Sequence, residues 1–396
     1  MRDLHFPIWL EALHKPGPTT FALLFAIGAF TRAILVTVIP LQALAQFGDA
    51  QKVSVFFFGV GTVALAGSMA IPYLVHMLRP RWVFTLGSAC LLVSTVLLAS
   101  GTLTGLITGM ALYVFGIACA EVALTLYVMD HVPRREFTRF EPLRMFYMAG
   151  AWTLGPWLGV YLQQHVTHWM PYAISFAGAV VMFVYFLFLR LAESPTRARR
   201  SARPPNPTRF LPRFFSQPRL ALAWILAFGR SGWWLMFFVY APIYAVNAGF
   251  DEIVSGAIVS VGTAAQFLVP AWGWVARRYG VRRLLIGGYT AAGIATIGVS
   301  LLAGIPWAAA FILICAAFSA STIDGVGNVP FMRAVRPFER PEMTSVFLTY
   351  RDSSRLAPPG VFSLLLQVFE LPVVFVVGGV GMLVLAFYSR YIPRRL

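Results

Sequence analysis

Apolar residues along this chain gather into long runs separated by short polar or glycine-bearing breaks. The runs begin near Thr20, Val53, Trp82, Gly105, Pro142 and Trp169, and again near Arg219, Ile253, Leu284, Trp307, Thr344 and Leu371. Each is about long enough to cross a bilayer as a helix, which takes roughly 20 residues. Leu and Phe with scattered Gly and Pro suit helices better than the two-residue alternation of an outer-membrane barrel. The predicted fold is all-α and polytopic, with twelve transmembrane helices, and the predicted spans keep these numbers below. A long polar connection from Glu193 to Pro218 divides them six and six. It predicts an N-terminal six-helix bundle over 1–193, a linker over 194–218 and a C-terminal six-helix bundle over 219–396. In the linker Arg197, Arg199, Arg200, Arg203, Arg209 and Arg213 alternate with prolines. That composition resists regular folding and reads as a solvated tether beside anionic headgroups.

Composition agrees. Hydrophobic residues are 59% of the chain and charged residues 12%, about half the charge of a soluble domain. The mean hydropathy is +0.74. A net charge of +16 suggests nucleic acid at first sight, but the basic residues fall in alternate loops, as membrane insertion leaves them. The loops on one side carry only Asp49, Lys52, Asp251, Glu252 and Glu370. The other side carries Arg79, Arg81, Arg134, Arg135, Arg139, Arg277, Arg278, Arg282, Arg283, Arg333, Arg336, Arg340, Arg394 and Arg395. Both termini are therefore expected in the cytoplasm, the membrane being a plasma (bacterial inner) membrane. Met1 to Pro18 lacks the continuous apolar core of a cleaved signal peptide. Its Phe6, Ile8, Trp9, Leu10 and Leu13 suggest an amphipathic helix at the membrane surface. Cys90, Cys119 and Cys315 lie within apolar runs and read as packing residues. No zinc spacing, nucleotide loop or paired catalytic set appears, so neither an enzyme nor a cofactor is expected.

The halves repeat one another. Val60-Gly61-Thr62 recurs as Val261-Gly262-Thr263, Arg81 as Arg282 and Gly87 as Gly288, all at an offset of 201 residues. Near the same offset Phe30-Thr31-Arg32 answers Phe228-Gly229-Arg230, and Glu121 answers Asp324. Such repeats mark secondary transporters, whose halves rock about a central site. Arg32 and Arg230 lie about a dozen residues into their spans, too deep to snorkel comfortably. A mid-membrane arginine costs roughly 2.5–3.5 kcal/mol on insertion scales, so a matched pair calls for a function.

The repeated halves and the basic central loop resemble the major facilitator superfamily over nearly the whole chain. That family's loop signature is a glycine, a helix-ending aspartate and a basic cluster. Its second copy here is Gly273-Trp274-Val275-Ala276-Arg277-Arg278-Tyr279-Gly280-Val281-Arg282-Arg283, with Arg277 at the aspartate position. In the first copy Pro72 stands for the glycine, His76 for the aspartate, and only Arg81 remains of the cluster. With neither aspartate present, the family's cytoplasmic latch does not carry over. A replacement is expected from Asp130, Glu136, Glu141, Glu339 and Glu342, pairing with Arg79, Arg81 and the Arg277–Arg283 cluster when the cytoplasmic side closes. Gly155-Pro156-Trp157-Leu158-Gly159 in span five is similar to the core of the family's antiporter motif. Its repeat partner in span eleven is Ala357-Pro358-Pro359-Gly360. Gly155, Pro156, Gly159, Arg81, Gly273, Arg277, Arg278, Gly280 and Arg282 are the expected gating residues.

The resemblance implies that spans one, four, seven and ten reach a central cavity. Arg32 and Arg230 would then face each other across it, as in the organophosphate:phosphate antiporters, and pair with Glu121 and Asp324. Span eleven adds Arg351, Asp352 and Arg355; the arginines share a face, and Asp352 can bridge to Arg355. The expected substrate-binding residues are Arg32, Arg230, Arg351 and Arg355. The expected proton carriers are Asp324 first, for the Gly325 and Gly327 beside it, then Glu121 and Asp352. Four arginines against three acids favour an anion or a zwitterion. The expected function is proton-coupled secondary transport of a small organic anion or zwitterion by a monomer in lipid. The alternatives are a drug or metabolite proton antiporter working as an exporter, and a transport-inactive receptor or assembly factor on the same fold.

Overall fold

The computed structural model describes residues 18–131, 137–191, 207–336 and 339–393. The N-terminal amphipathic segment, Glu136 and most of the linker lie outside them, as do the side chains of Arg79, Asp130 and Glu141. The described residues are helical with short connections and form no strand. Among the described residues, ten helices are long and apolar enough to cross a membrane. Spans five and eleven, Phe137–His165 and Thr349–Leu365, are more polar helices outside those ten, the second only 17 residues long.

Local chemistry sets several boundaries. Gly48, at φ +70°, ends the helix Val38–Phe47 with its N–H on the Leu44 carbonyl. Asp49 then caps the next helix, its carboxylate accepting from the Gln51 N–H at 3.2 Å. That next helix, Ala50–Ala99, is helical through both spans two and three, where the sequence suggests two helices and a loop. It is no straight rod. A Cβ on Gly67 would meet the Phe115 ring, and one on Gly87 would meet Cys119 and Gly116. Positions 67 and 87 lie about 30 Å apart along an ideal helix yet touch one stretch of span four, so the chain doubles back between them.

Three spans are interrupted, each one turn before a proline. Span one is Pro18–Ala33 and Val38–Phe47, with turn residues ahead of Pro40. Span eight passes from Glu252–Ala264 through a 3₁₀ stretch, Ala265–Leu268, to Val269–Tyr279, which contains Pro270. Span ten ends at Asp324 and resumes as Val329–Ala334, which contains Pro330. A proline lacks the N–H that would reach the carbonyl four residues back, and its ring crowds that carbonyl.

The end of the linker is folded, unlike the tether that its composition suggests. Pro207–Phe215 is a helix whose fully buried Phe214 joins Phe331, Met343, Val346, Phe347 and Tyr350 in an apolar cluster. Arg213 beside it forms an ion pair with Glu339, whose side chain is only 3% exposed. In this conformation Glu339 pairs with the linker and not with the Arg277–Arg283 cluster. Glu342 makes no ion pair among the described residues. We expect Arg213→Ala to destabilise the protein by about 1–3 kcal/mol, because it strands a buried carboxylate. Glu339→Gln should cost less, since an amide buries no charge. Thermal unfolding of the purified protein tests this, and an unchanged Arg213→Ala variant would refute it.

Candidate functional site

The repeated glycines position the repeated acids. Gly87 presses on span four at Cys119 and Ala120, next to Glu121. Gly288 presses on span ten at Thr322 and Ile323, next to Asp324. Only a residue without a side chain allows so close a helix contact. Each acid is thereby brought to the arginine of its own half.

In the N-terminal half Arg32 Nη1 forms an ion pair with Glu121 Oε1, and Arg32 Nε donates to the Gly28 carbonyl at 2.9 Å. Arg32 lies in the last turn before the break in span one, where the partial negative charge of a helix end favours a cation. The Arg32 side chain is 16% exposed and that of Glu121 39%. Both line a cavity between spans one, three, four and six.

In the C-terminal half Arg230 Nε lies 3.5 Å from Asp324 Oδ1, and Arg230 Nη2 donates to Asn328 Oδ1 at 3.1 Å. Asp324 ends its helix, where the same dipole disfavours a carboxylate. Two neutral donors compensate: Trp234 Nε1 at 2.9 Å and Gln266 Nε2 at 3.1 Å, both to Oδ2. Gln266 sits in the 3₁₀ break of span eight and Asn328 in the break of span ten. Of Trp234, Gln266 and Asn328, the sequence reading passed over the last two as functional candidates. For the last two, a polar residue one turn or less before a proline inside an apolar run was the available signal. Gly325, read as backbone freedom beside Asp324, packs against Trp272 and Gly273 instead. Arg230 and Asn328 line a second cavity, within the C-terminal half. Each arginine thus lines a cavity within its own half.

Span eleven joins them. It lies along span two, with Gly360 against Phe58 and the backbone of Arg355 against Gly61. It also touches span seven, where the Ser354 hydroxyl donates to Ser231 Oγ at 2.8 Å. Arg351 Nε donates to the Tyr350 hydroxyl at 3.4 Å, and that hydroxyl also faces Arg230. Arg355 and Arg351 act electrostatically on Glu121 across the seam between the halves. Asp352 faces Ser68 of span two and forms no ion pair with Arg355 among the described residues, so that proposed bridge is not made.

The expected gating residues divide. A Cβ on Gly155 would press on Ala33, and one on Gly159 would overlap the Ile34 carbonyl oxygen. The Gly-Pro-x-x-Gly stretch thus seats span five on the break that follows Arg32. The other face of that stretch meets the second half. The Pro156 carbonyl lies against Gly256, and the Trp157 N–H donates to Ser260 Oγ at 2.9 Å. Gly273 abuts Gly325 beside Asp324, and Gly280 has φ +92°. Arg278 stacks over Trp274 at 5.5 Å, while Arg277 and Arg282 form no ion pair among the described residues. The Arg81 Nε is buried with no hydrogen-bond partner among them. Further polar contacts join the halves at the end carrying Asp49 and Asp251. Gln164 Nε2 donates to Asp251 Oδ1 and Glu252 Oε2 at 3.3 and 3.1 Å, and the Tyr240 hydroxyl to Ser54 Oγ at 2.8 Å.

Solved structures share this architecture. A peptide transporter POT variant in complex with sulfate superposes with a TM-score of 0.75 at 12% identity, over 100% of this chain and 96% of that one. A POT family transporter in complex with 5-aminolevulinic acid gives 0.71 at 12% identity, over 93% and 94%. The nucleoside transporter NupG gives 0.70 at 13%, over 94% and 98%. No curated protein matches the chain in sequence. Residues 21–359 match the profile of the Major Facilitator Superfamily, and the chain belongs to that superfamily, with the multi-pass fold of its membrane transporters.

Proposed function

We propose that this transporter is proton-coupled and moves a small organic anion or zwitterion by alternating access. Residues 1–193 and 219–396 are its two moving halves, and both termini are cytoplasmic. The observation that carries the reading is the matched pair Arg32–Glu121 and Arg230–Asp324, one in each half. Burying either arginine is costly, and a carboxylate partner offsets the cost while remaining able to take a proton. Fold neighbours that carry peptides and nucleosides fit a small-molecule cargo.

Of the two acids, Glu121 suits the proton better than Asp324. Asp324 accepts from Trp234 and Gln266 as well as from Arg230, and all three contacts favour its charged form. Glu121 makes one ion-pair contact, to Arg32, with Arg355 and Arg351 acting only from across the seam, and is the more exposed.

A thermal-shift screen of small anions and zwitterions identifies a cargo, because a ligand that binds only the folded state raises its melting temperature. Uptake into proteoliposomes under an imposed pH gradient then tests coupling. Glu121→Gln should lose accumulation but keep counterflow, since an amide mimics the protonated acid without reporting pH. Accumulation equal to the parent in both Glu121→Gln and Asp324→Asn would move the proton site elsewhere, with Asp352 next.

A further inference from the structure

One face of span seven, Pro218–Asn247, differs from the rest. Trp233, Met236, Phe237, Val239 and Tyr240 are buried, whereas Arg230, Trp234 and Phe238 stay partly exposed. These three follow one another at intervals of four residues, so a guanidinium, an indole and a phenyl ring stand in one stripe along about 12 Å of helix. The Trp234 and Phe238 rings stack, with centroids 5.7 Å apart and planes 26° from parallel. Trp152 of span five, in the other half, sets its indole beside Phe238 at 5.2 Å and 31°. The stripe therefore faces the space between the halves. Trp152 is fixed there through its backbone. Pro156 has no N–H to offer the Trp152 carbonyl, which accepts instead from Thr263 Oγ1 of span eight at 2.8 Å. At the polar end of the stripe, Trp234 Nε1 and Gln266 Nε2 both donate to Asp324 Oδ2, and Arg230 lies against the same carboxylate.

We propose that Trp152, Trp234 and Phe238 form the subsite for the body of the cargo, and that the cargo is an organic acid or amino acid bearing a flat apolar group such as an aromatic ring. This rests on the reading above, in which Arg230 meets the charged end, and adds what the rest of the molecule is. Ring faces gain from a flat apolar partner both by burial and by offset stacking. Apolar walls with a few polar groups at one end are the usual make-up of a small-molecule pocket, the polar groups setting orientation. The roughly 12 Å from guanidinium to far ring admits a body of one or two rings. Inorganic phosphate or a sugar phosphate would instead leave oxygens unpaired against the rings. Trp152 belongs to one half, and Trp234 and Phe238 to the other. A ring seated among them touches both halves at once, so its binding depends on how the halves stand to each other.

Matched probes test this with the purified protein. Phenylacetate and indole-3-acetate carry the head of acetate plus a ring; phenylalanine and tryptophan carry that of glycine. Half-maximal stabilisation against heat should come at a concentration at least about tenfold lower for a ring-bearing probe than for its ringless partner, the gain from burying one ring. Trp152→Leu and Phe238→Leu keep apolar bulk without the flat face, and each should bring the partners to within about threefold. Trp234 is left unaltered because its indole also serves Asp324. If Trp152→Leu does not fold, Phe238→Leu carries the test and Trp152→Phe should keep the preference. Trp307→Ala, at a tryptophan 69% exposed outside this stripe, should keep it in full, which controls for binding to any exposed ring. Equal stabilisation within both sets, or none by any probe, overturns the proposal, as does a preference that survives both leucine variants. If Arg230→Ala binds the ring-bearing probes as tightly as the parent, the charged-end contact of the reading above fails while the ring preference stands, so the two failures are separable.

Discussion

Arg230→Ala should abolish substrate binding and transport while leaving a folded, inserted protein, and Arg230→Lys should fare little better. The guanidinium makes two contacts in different directions, Nε toward Asp324 and Nη2 to Asn328, and lies beside the Tyr350 hydroxyl. A planar fork serves three groups at once, whereas an ammonium is a single point charge. A cargo oxyanion seated on Arg230 would form a desolvated charge pair, and truncating one member of such a pair costs about 2–5 kcal/mol, or roughly 30- to several-thousand-fold in affinity at 1.36 kcal/mol per decade. The fold should survive because Asp324 keeps Trp234 and Gln266 as donors. Arg32→Ala is the companion variant, with Glu121 left more exposed. Ligand binding by thermal shift, with size-exclusion elution as the folding control, reads both. Binding retained in Arg230→Lys would reduce the residue to a plain positive charge.

A loss of comparable size is expected from Gly159→Val in span five. Its Cβ would overlap the carbonyl oxygen of Ile34, a backbone atom that cannot rotate away as a side chain would. Ile34 lies in the break of span one that directly follows Arg32. Separating the helices there carries Arg32 away from Glu121 and disturbs the opposite face of span five against Gly256 and Ser260. The cost should reach the upper end of the roughly 1–3 kcal/mol typical of overpacking, with uptake lost even where protein is recovered. Gly150→Ala in the same helix is the control, since its new Cβ would meet only the Phe267 ring at 4.0 Å and should leave uptake unchanged. Normal transport by Gly159→Val would show that this contact is not needed for movement.

Much of this architecture was legible in the sequence because a bilayer imposes few options on it. Apolar runs of crossing length, the Gly48–Asp49 boundary, and the repeated Gly87/Gly288 and Glu121/Asp324 all follow from local chemistry acting at short range. The buried arginines announced themselves by their expense, and their acids by repeating with them. Other features depend on residues distant in the chain. Pro40, Pro270 and Pro330 were visible, but Pro242, Pro358 and Pro359 lie inside helices that continue. Whether a proline interrupts its span depends on what neighbouring helices supply to the freed backbone. The pairing of Arg213 with Glu339 joins the linker to a loop more than a hundred residues on, and no pattern of charges specified it. The sequence ranked Asp324 above Glu121 as a site for a proton, for the glycines beside it, but carried no information on their partners. Both are acids at matched positions, and what distinguishes them is how many donors the packed helices bring to each. Spacing along a chain fixes which residues share a turn or a face. The energy of a buried charge depends on the partners that other segments deliver, and only the tertiary structure decides that.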